Sequence, residues 1–149
     1  MNLVGASDFV SYREYLENCP GEFTKLFNTV LINVTTFFRD RIPWEFMSAE
    51  VIPRILARKA EDDPIRVWSA GCATGEEAFT LAMVLSEALG AAEFESRVKI
   101  HATDIDDGAL LAARRGYFPA KQVASARDTC SRSISSRSKV GTVQEGISP

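Results

Sequence analysis

Residues Val67–Glu77 read VWSAGCATGEE. A short apolar stretch runs into two glycines, Gly71 and Gly75, and then into paired glutamates. This is the pattern of a buried strand that turns sharply and starts a helix. Glycines in such a turn let the backbone reverse and approach a ligand closely. Many nucleotide sites share this layout, but a phosphate site favours positive charge after its glycines. Here Glu76 and Glu77 take the helix N-terminus, where the helix dipole favours anions. A pyrophosphate would be repelled from that place, whereas a cationic nucleoside would be accepted. The turn therefore disfavours an NAD-dependent oxidoreductase and favours a ligand such as S-adenosylmethionine, which has no phosphate and carries a sulfonium and an ammonium.

The flanking sequence supports an α/β unit. Ile65–Ala70 is a strand candidate. Glu76–Leu89 is a helix candidate whose Phe79, Ala82, Met83, Leu85 and Leu89 make an apolar face, with Gly90 as its C-terminal cap. Val98–Thr103 is a second strand and ends at Asp104. Asp106 or Asp107 can cap a third helix through Leu110, Leu111 and Ala113, which closes at Gly116. Strand, helix, strand, helix predicts parallel strands. Ligands in open parallel sheets bind beyond the carboxyl ends of the strands. Gly71 and Asp104 stand at those two ends, and a carboxylate in the second position suits the hydroxyls of a ribose.

Upstream, Phe9, Tyr12, Tyr15 and Leu16 recur at helical spacing. Pro20-Gly21 breaks the run, and Phe23, Leu26, Phe27 and Leu31 begin a second stripe. Ile32–Arg41, INVTTFFRDR, does not fit a clean helix. Trp44–Ala60 does, with Pro53 either kinking it or marking its true start. Phe37 and Phe38 are expected in the core, Cys72 in the packing of the turn, and His101 in a structural place. Downstream, residues 124–149 hold seven serines, few large apolar residues and no periodicity. That composition predicts a disordered tail.

The totals bound the function. The chain of 149 residues, 46% of them hydrophobic, suits one packed domain of ordinary size. A formal net charge of −3 gives no electrostatic case for nucleic acid or an anionic membrane. Cys19, Cys72 and Cys130 are an odd, widely spaced set, and His101 is the single histidine. No disulfide framework, metal centre or histidine-based triad is expected from them. Met1–Asp8 has no signal-peptide pattern and no apolar run suits a bilayer, so a cytoplasmic protein is expected.

LINVTTFFRD, RVWSAGCATGEE and HATDID occur in that order, and GYFP follows the third helix. Together, from about Phe9 to Val123, they resemble the CheR family of chemotaxis receptor methyltransferases, which are protein-glutamate O-methyltransferases. The resemblance implies a small helical N-terminal domain, here 1–42. It also implies a partial Rossmann-like class I methyltransferase domain, here 43–123, ahead of the 124–149 tail. It implies S-adenosylmethionine as cofactor and the cytoplasmic region of chemoreceptors as protein substrate, modified on glutamate side chains. Carried over by motif, Asn33, Thr35 and Arg39 of NVTTFFR match positions that hold the methionine end of the cofactor. Arg39 also matches the arginine near the transferred methyl, which makes it the candidate catalytic residue. Its surface alternative is a solvated cluster with Asp40 and Arg41. Gly71 belongs to the glycine turn, Glu77 matches a partner for the ammonium, Asp104 a ribose ligand, and Ile105 an apolar contact for adenine. In the family a later segment of the form Arg-Asn-Val-Leu-Ile-Tyr-Phe follows; residues 124–149 have no likeness to it, and no arginine-rich helix precedes Asp8. The expectation is a C-terminally truncated domain with impaired or lost turnover. The alternative is an inactive cofactor-binding or regulatory fragment of a multidomain chemotaxis sensor.

Overall fold

A computed structural model describes residues 4–30 and 33–123. The expected disordered tail, 124–149, lies outside the described residues. The chain separates into two compact units at the Ile32–Asn33 junction. This division falls upstream of the boundary expected at 42, and NVTTFFR lies in the strand-and-helix unit.

The first unit is a helix pair, α1 (Phe9–Asn18) and α2 (Pro20–Val30). Asp8 caps α1: its Oδ1 accepts from the Ser11 backbone N–H at 2.8 Å, and the Ser11 hydroxyl oxygen accepts from the Asp8 N–H at 3.3 Å. Pro20 opens α2, where a missing N–H costs nothing. The break between the helices is therefore at Cys19, and Gly21 lies inside α2.

The second unit begins with the non-helical segment 33–40. Then come α3 (Arg41–Phe46), a π-helical turn (Met47–Val51) and α4 (Ile52–Leu56), which follow one another directly. Pro53 explains the wide turn. It has no N–H for the Ala49 carbonyl and its ring crowds that oxygen, so the preceding turn loosens instead of ending the helix.

The sheet is β1 (Ile65–Ala70) paired in parallel with β2 (Val98–Thr103), in a register that runs from Ile65 opposite Val98 to Ala70 opposite Thr103. Between the strands lie α5 (Glu76–Leu89) and a further helix, α6 (Ala91–Arg97). Sequence periodicity does not reveal α6, because Phe94 is its only large apolar residue. Its terminal Arg97 guanidinium donates to the carbonyls of Ala60 (2.9 Å) and Asp63 (3.2 Å), which ties the polar break before β1 to the start of β2.

One sheet face carries Ile65, Val67 and Ser69 of β1, with Ile100 and Ala102 of β2. The core joins that face to Ile52 of α4, to Ala78, Ala82, Val84 and Leu85 of α5, and to Leu110 of α7 (Asp107–Arg115). Of the stripe expected, Ala82 and Leu85 are buried, whereas Phe79, Met83 and Leu89 are half-buried; Thr80 of α5 is buried as well.

NVTTFFR and GYFP close over the start of α5. The Phe118 ring meets Phe37 and Phe79 edge to face, with centroids 4.9 and 5.1 Å apart. Phe38 meets Trp44 at 6.0 Å. Both phenylalanines of the FF pair are thus packing residues, as expected. Phe118→Ala removes the ring shared by two contacts. Because Phe118 is only half-buried, the expected loss is about 2–3 kcal/mol, at or below the low end for buried phenylalanine. A urea midpoint that does not move would refute the aromatic bridge.

Candidate functional site

The site lies where both strands end. The Thr103 carbonyl accepts from the backbone N–H groups of Gly71 (2.8 Å) and Cys72 (3.0 Å). These two hydrogen bonds to one oxygen mark the point where the chain leaves β1. Gly71 (φ 71) and Gly75 (φ 99) are both left-handed, and so is Ala73 between them (φ 47). Ala73 has no glycine freedom, and such a conformation costs about 1–2 kcal/mol. Asp104 supports it: its Oδ2 accepts from the Ala73 N–H at 2.7 Å, while its Oδ1 accepts from the Asp106 N–H at 2.9 Å. The carboxylate at the end of β2 thus fixes the turn at the end of β1.

Asp106 caps α7, accepting from the Ala109 N–H at 3.1 Å through Oδ1. Through Oδ2 it accepts from Asn33 Nδ2 at 2.6 Å, across 73 residues of sequence. The Asn33 bond, then the Ala109 bond, hold its carboxyl below the usual range. The NVTTFFR and TDID motifs are therefore in direct contact. A second tie is Thr80, fully buried, whose hydroxyl oxygen accepts from the Phe38 N–H at 3.3 Å and whose proton goes to the Glu76 carbonyl at 2.6 Å. It holds Phe38 in a left-handed conformation (φ 49), one residue before Arg39.

The paired glutamates differ. Glu76 is buried, and the Thr74 hydroxyl donates to its Oε2 at 2.6 Å. Glu77 is exposed, with its Oε1 accepting from the buried Ser69 hydroxyl at 2.6 Å. One carboxylate belongs to the packing and the other is aimed from the strand. Ile105 is exposed beside Asp104, and Gly71 faces open space: a Cβ built on it meets nothing within 4 Å.

Of the residues expected at the site, Gly71, Glu77, Asp104 and Ile105 gather at the two strand ends, and Asn33 joins them through Asp106. Thr35 is half-buried in the same segment. Arg39 bonds within its own segment, donating from Nη1 to the Val34 carbonyl at 2.7 Å, and its Nε lies 3.8 Å from Asp40. Ser69, Thr80 and Asp106 support the site without having been expected there. Asp106 is legible in the sequence only as a cap, and nothing in the sequence pairs it with Asn33.

Cys72 is buried, and its thiol is pushed up to about 11, first by burial and then by the nearby Asp104 charge. Its folded value lies above its free value of ~8.5, so any stability linked to it is present below that pH and is lost as pH rises through about 11. At pH 8 roughly one thiol in a thousand is ionised. Iodoacetamide is expected to spare Cys72 in the folded chain and modify it in urea, as read by peptide mass mapping. Rapid native labelling would show the turn to be open.

These features define an α/β protein whose two strand ends bring together an acceptor carboxylate and an exposed glutamate, the place where open parallel sheets bind ligands. Residues 33–148 match the sequence model of the family described as CheR methyltransferase, SAM binding domain. The chain belongs to this CheR methyltransferase family, and S-adenosylmethionine is the cofactor of the domain it carries. The match runs past Val123, where the resemblance was expected to stop. Similar proteins include the "Chemotaxis protein methyltransferase" of Borreliella burgdorferi, 33% identical over 127 residues, covering 83% of this chain and 45% of that protein. The "Chemotaxis protein methyltransferase 2" of Pseudomonas aeruginosa is 38% identical over 123 residues, covering 83% and 42%. An uncharacterized 104.1 kDa protein of Rhodobacter capsulatus is 40% identical over 111 residues, covering 74% of this chain and 12% of that protein. The chain spans less than half the length of these relatives. Among the described residues no helix is long and apolar enough to cross a membrane, and no cluster of metal-ligating side chains forms.

Proposed function

We propose that this chain carries the cofactor-binding part of an S-adenosylmethionine-dependent protein-glutamate O-methyltransferase acting on the cytoplasmic region of chemoreceptors. The observation that carries the proposal is the junction of Asp104 with the Gly71–Glu77 turn, in a chain whose relatives are named chemotaxis protein methyltransferases. The donor set suits the cofactor. Asp104 has lone pairs left for ribose hydroxyls, Ile105 offers an apolar surface for adenine, and the open side of Gly71 admits a close ligand. Glu77 faces the ammonium, Asn33 and Thr35 hold the methionine end, and Arg39 takes its carboxylate. Arg39 also stands near the reacting centre, where it orients the substrate glutamate.

When bound, the cofactor supplies a methyl on a sulfonium, an electrophile with a good leaving group. The substrate carboxylate, already ionised near neutral pH, forms the new O–C bond as the S–C bond breaks. Alignment and exclusion of water are what the protein must add, so the scarcity of histidine is no obstacle.

With less than half the relatives' length, the chain alone is expected to bind S-adenosylhomocysteine weakly and to transfer no methyl to a receptor fragment. NMR titration with S-adenosylhomocysteine tests the first part; resonance shifts absent from Gly71, Glu77 and Asp104 would reject the site. Radiolabelled transfer tests the second. Glu77→Gln should lower S-adenosylmethionine affinity about fivefold, the worth of one exposed charge pair near 1 kcal/mol. Stronger NAD binding without that loss would instead indicate a dinucleotide site.

A second function has its own support. The matching stretch fills only 12% of the Rhodobacter capsulatus protein, which suits a cofactor-binding or regulatory module within a larger polypeptide. Cofactor binding that persists in the full-length polypeptide without methyl transfer would favour it.

A further inference from the structure

We infer that Asp106 is a positioning residue for the cofactor, setting through its bond to Asn33 which face of the Asn33 amide the site presents. The inference rests on the proposed cofactor site.

Three of the hydrogen bonds at Asp106 bear on the site. Its backbone N–H donates to Asp104 Oδ1 (2.9 Å), its Oδ1 accepts the Ala109 N–H (3.1 Å), and its Oδ2 accepts from Asn33 Nδ2 (2.6 Å). The first two tie it to the ribose-binding carboxylate and to the start of α7. The cap needs only an oxygen, which asparagine, serine or threonine also provide. The third bond needs more. An ionised carboxylate only accepts, so the Asn33 atom facing it must be the donor Nδ2. The amide plane is then fixed, and Asn33 Oδ1 becomes an acceptor in a set place. The methionine end of the cofactor carries an ammonium, a donor that such an acceptor suits. Asn33 is exposed and stands at the first residue of its unit, so packing does little to orient its side chain.

A mere cap and a positioning residue respond differently to Asp106→Asn. The substituted amide keeps an oxygen for the Ala109 N–H but turns its nitrogen toward Asn33 Nδ2. Two donors then face each other, and Asn33 must flip or leave. The exchange variant N33D/D106N restores the bond with donor and acceptor swapped. The second oxygen of the carboxylate it introduces stands where Asn33 Oδ1 stood. The affinities of wild type, D106N, N33D and N33D/D106N for S-adenosylhomocysteine can be compared by NMR titration, with thermal melts alongside. The expected result is a loss of about tenfold or more in D106N with a melting temperature close to wild type, and recovery to within about threefold in N33D/D106N. D106N binding within about twofold of wild type overturns the inference alone. So does a loss that the exchange variant does not restore while its melt stays cooperative. A wild-type chain that shows no binding overturns the cofactor site and, with it, this inference.

Discussion

Asp104→Asn is expected to reduce S-adenosylhomocysteine affinity by about tenfold to a hundredfold and to lower the melting temperature as well. Each Asp104 oxygen accepts a backbone N–H, one from Ala73 and one from Asp106. Asparagine can accept with only one side-chain atom; its nitrogen would point a donor at a donor. A hydrogen bond to a charged group contributes about 1.5–3 kcal/mol, and an unpartnered N–H adds a desolvation penalty. If the Ala73 bond is the one lost, nothing holds Ala73 at φ 47, and the turn relaxes toward ordinary backbone geometry. The ligand then loses a ribose acceptor and the shape of the turn together. Asp104→Ala removes both acceptors and should be worse in both measurements. An asparagine variant that keeps full stability but loses affinity would make Asp104 a ligand residue only. Full affinity with reduced stability would make it a structural residue only, and would remove the strongest element of the proposed site.

Asp104 also marks the limit of what is legible in a sequence. Strand, glycine turn, acidic helix start and strand-end aspartate were legible because each is a local pattern: a change of period, a residue fit for left-handed backbone, a charge at a helix dipole. Both strands, α5 and α7 stand where those patterns place them. The ties between segments were not legible. Asn33 to Asp106 and Phe38 to Thr80 join residues 73 and 42 positions apart, and no local propensity encodes such pairs. The left-handed Ala73 was also hidden, since alanine gives no signal of the conformation that Asp104 imposes on it. Helix α6 escaped because it reaches the core through Phe94 alone, too little for a periodic stripe. The π-helical turn escaped for another reason: a proline inside a helical pattern predicts a kink or a new start, whereas one loosened turn relieves the same clash.

The two turn glycines should separate folding from binding. At Gly75, a Cβ would lie 3.0 Å from the Ala113 Cβ, 3.3 Å from the Ala113 Cα and 3.3 Å from Phe79 Cε2, at φ 99. The neighbours are a helix backbone and a packed ring, so little can move. Gly75→Ala therefore adds overpacking of about 1–3 kcal/mol to a left-handed penalty of about 1 kcal/mol. A chain with few kilocalories to spare is expected to melt far lower or lose cooperative unfolding. At Gly71 the same methyl meets nothing within 4 Å. Gly71→Ala bears only the left-handed penalty, about 1 kcal/mol, and should stay folded. Its methyl, however, projects into the space assigned to the ligand, and affinity for S-adenosylhomocysteine should fall by about tenfold or more, a change of about 1.4 kcal/mol or greater. Thermal melts and NMR titrations of both variants check the contrast. If Gly71→Ala binds as wild type does, the open side of that glycine is plain solvent, and the cofactor must lie elsewhere along the strand ends.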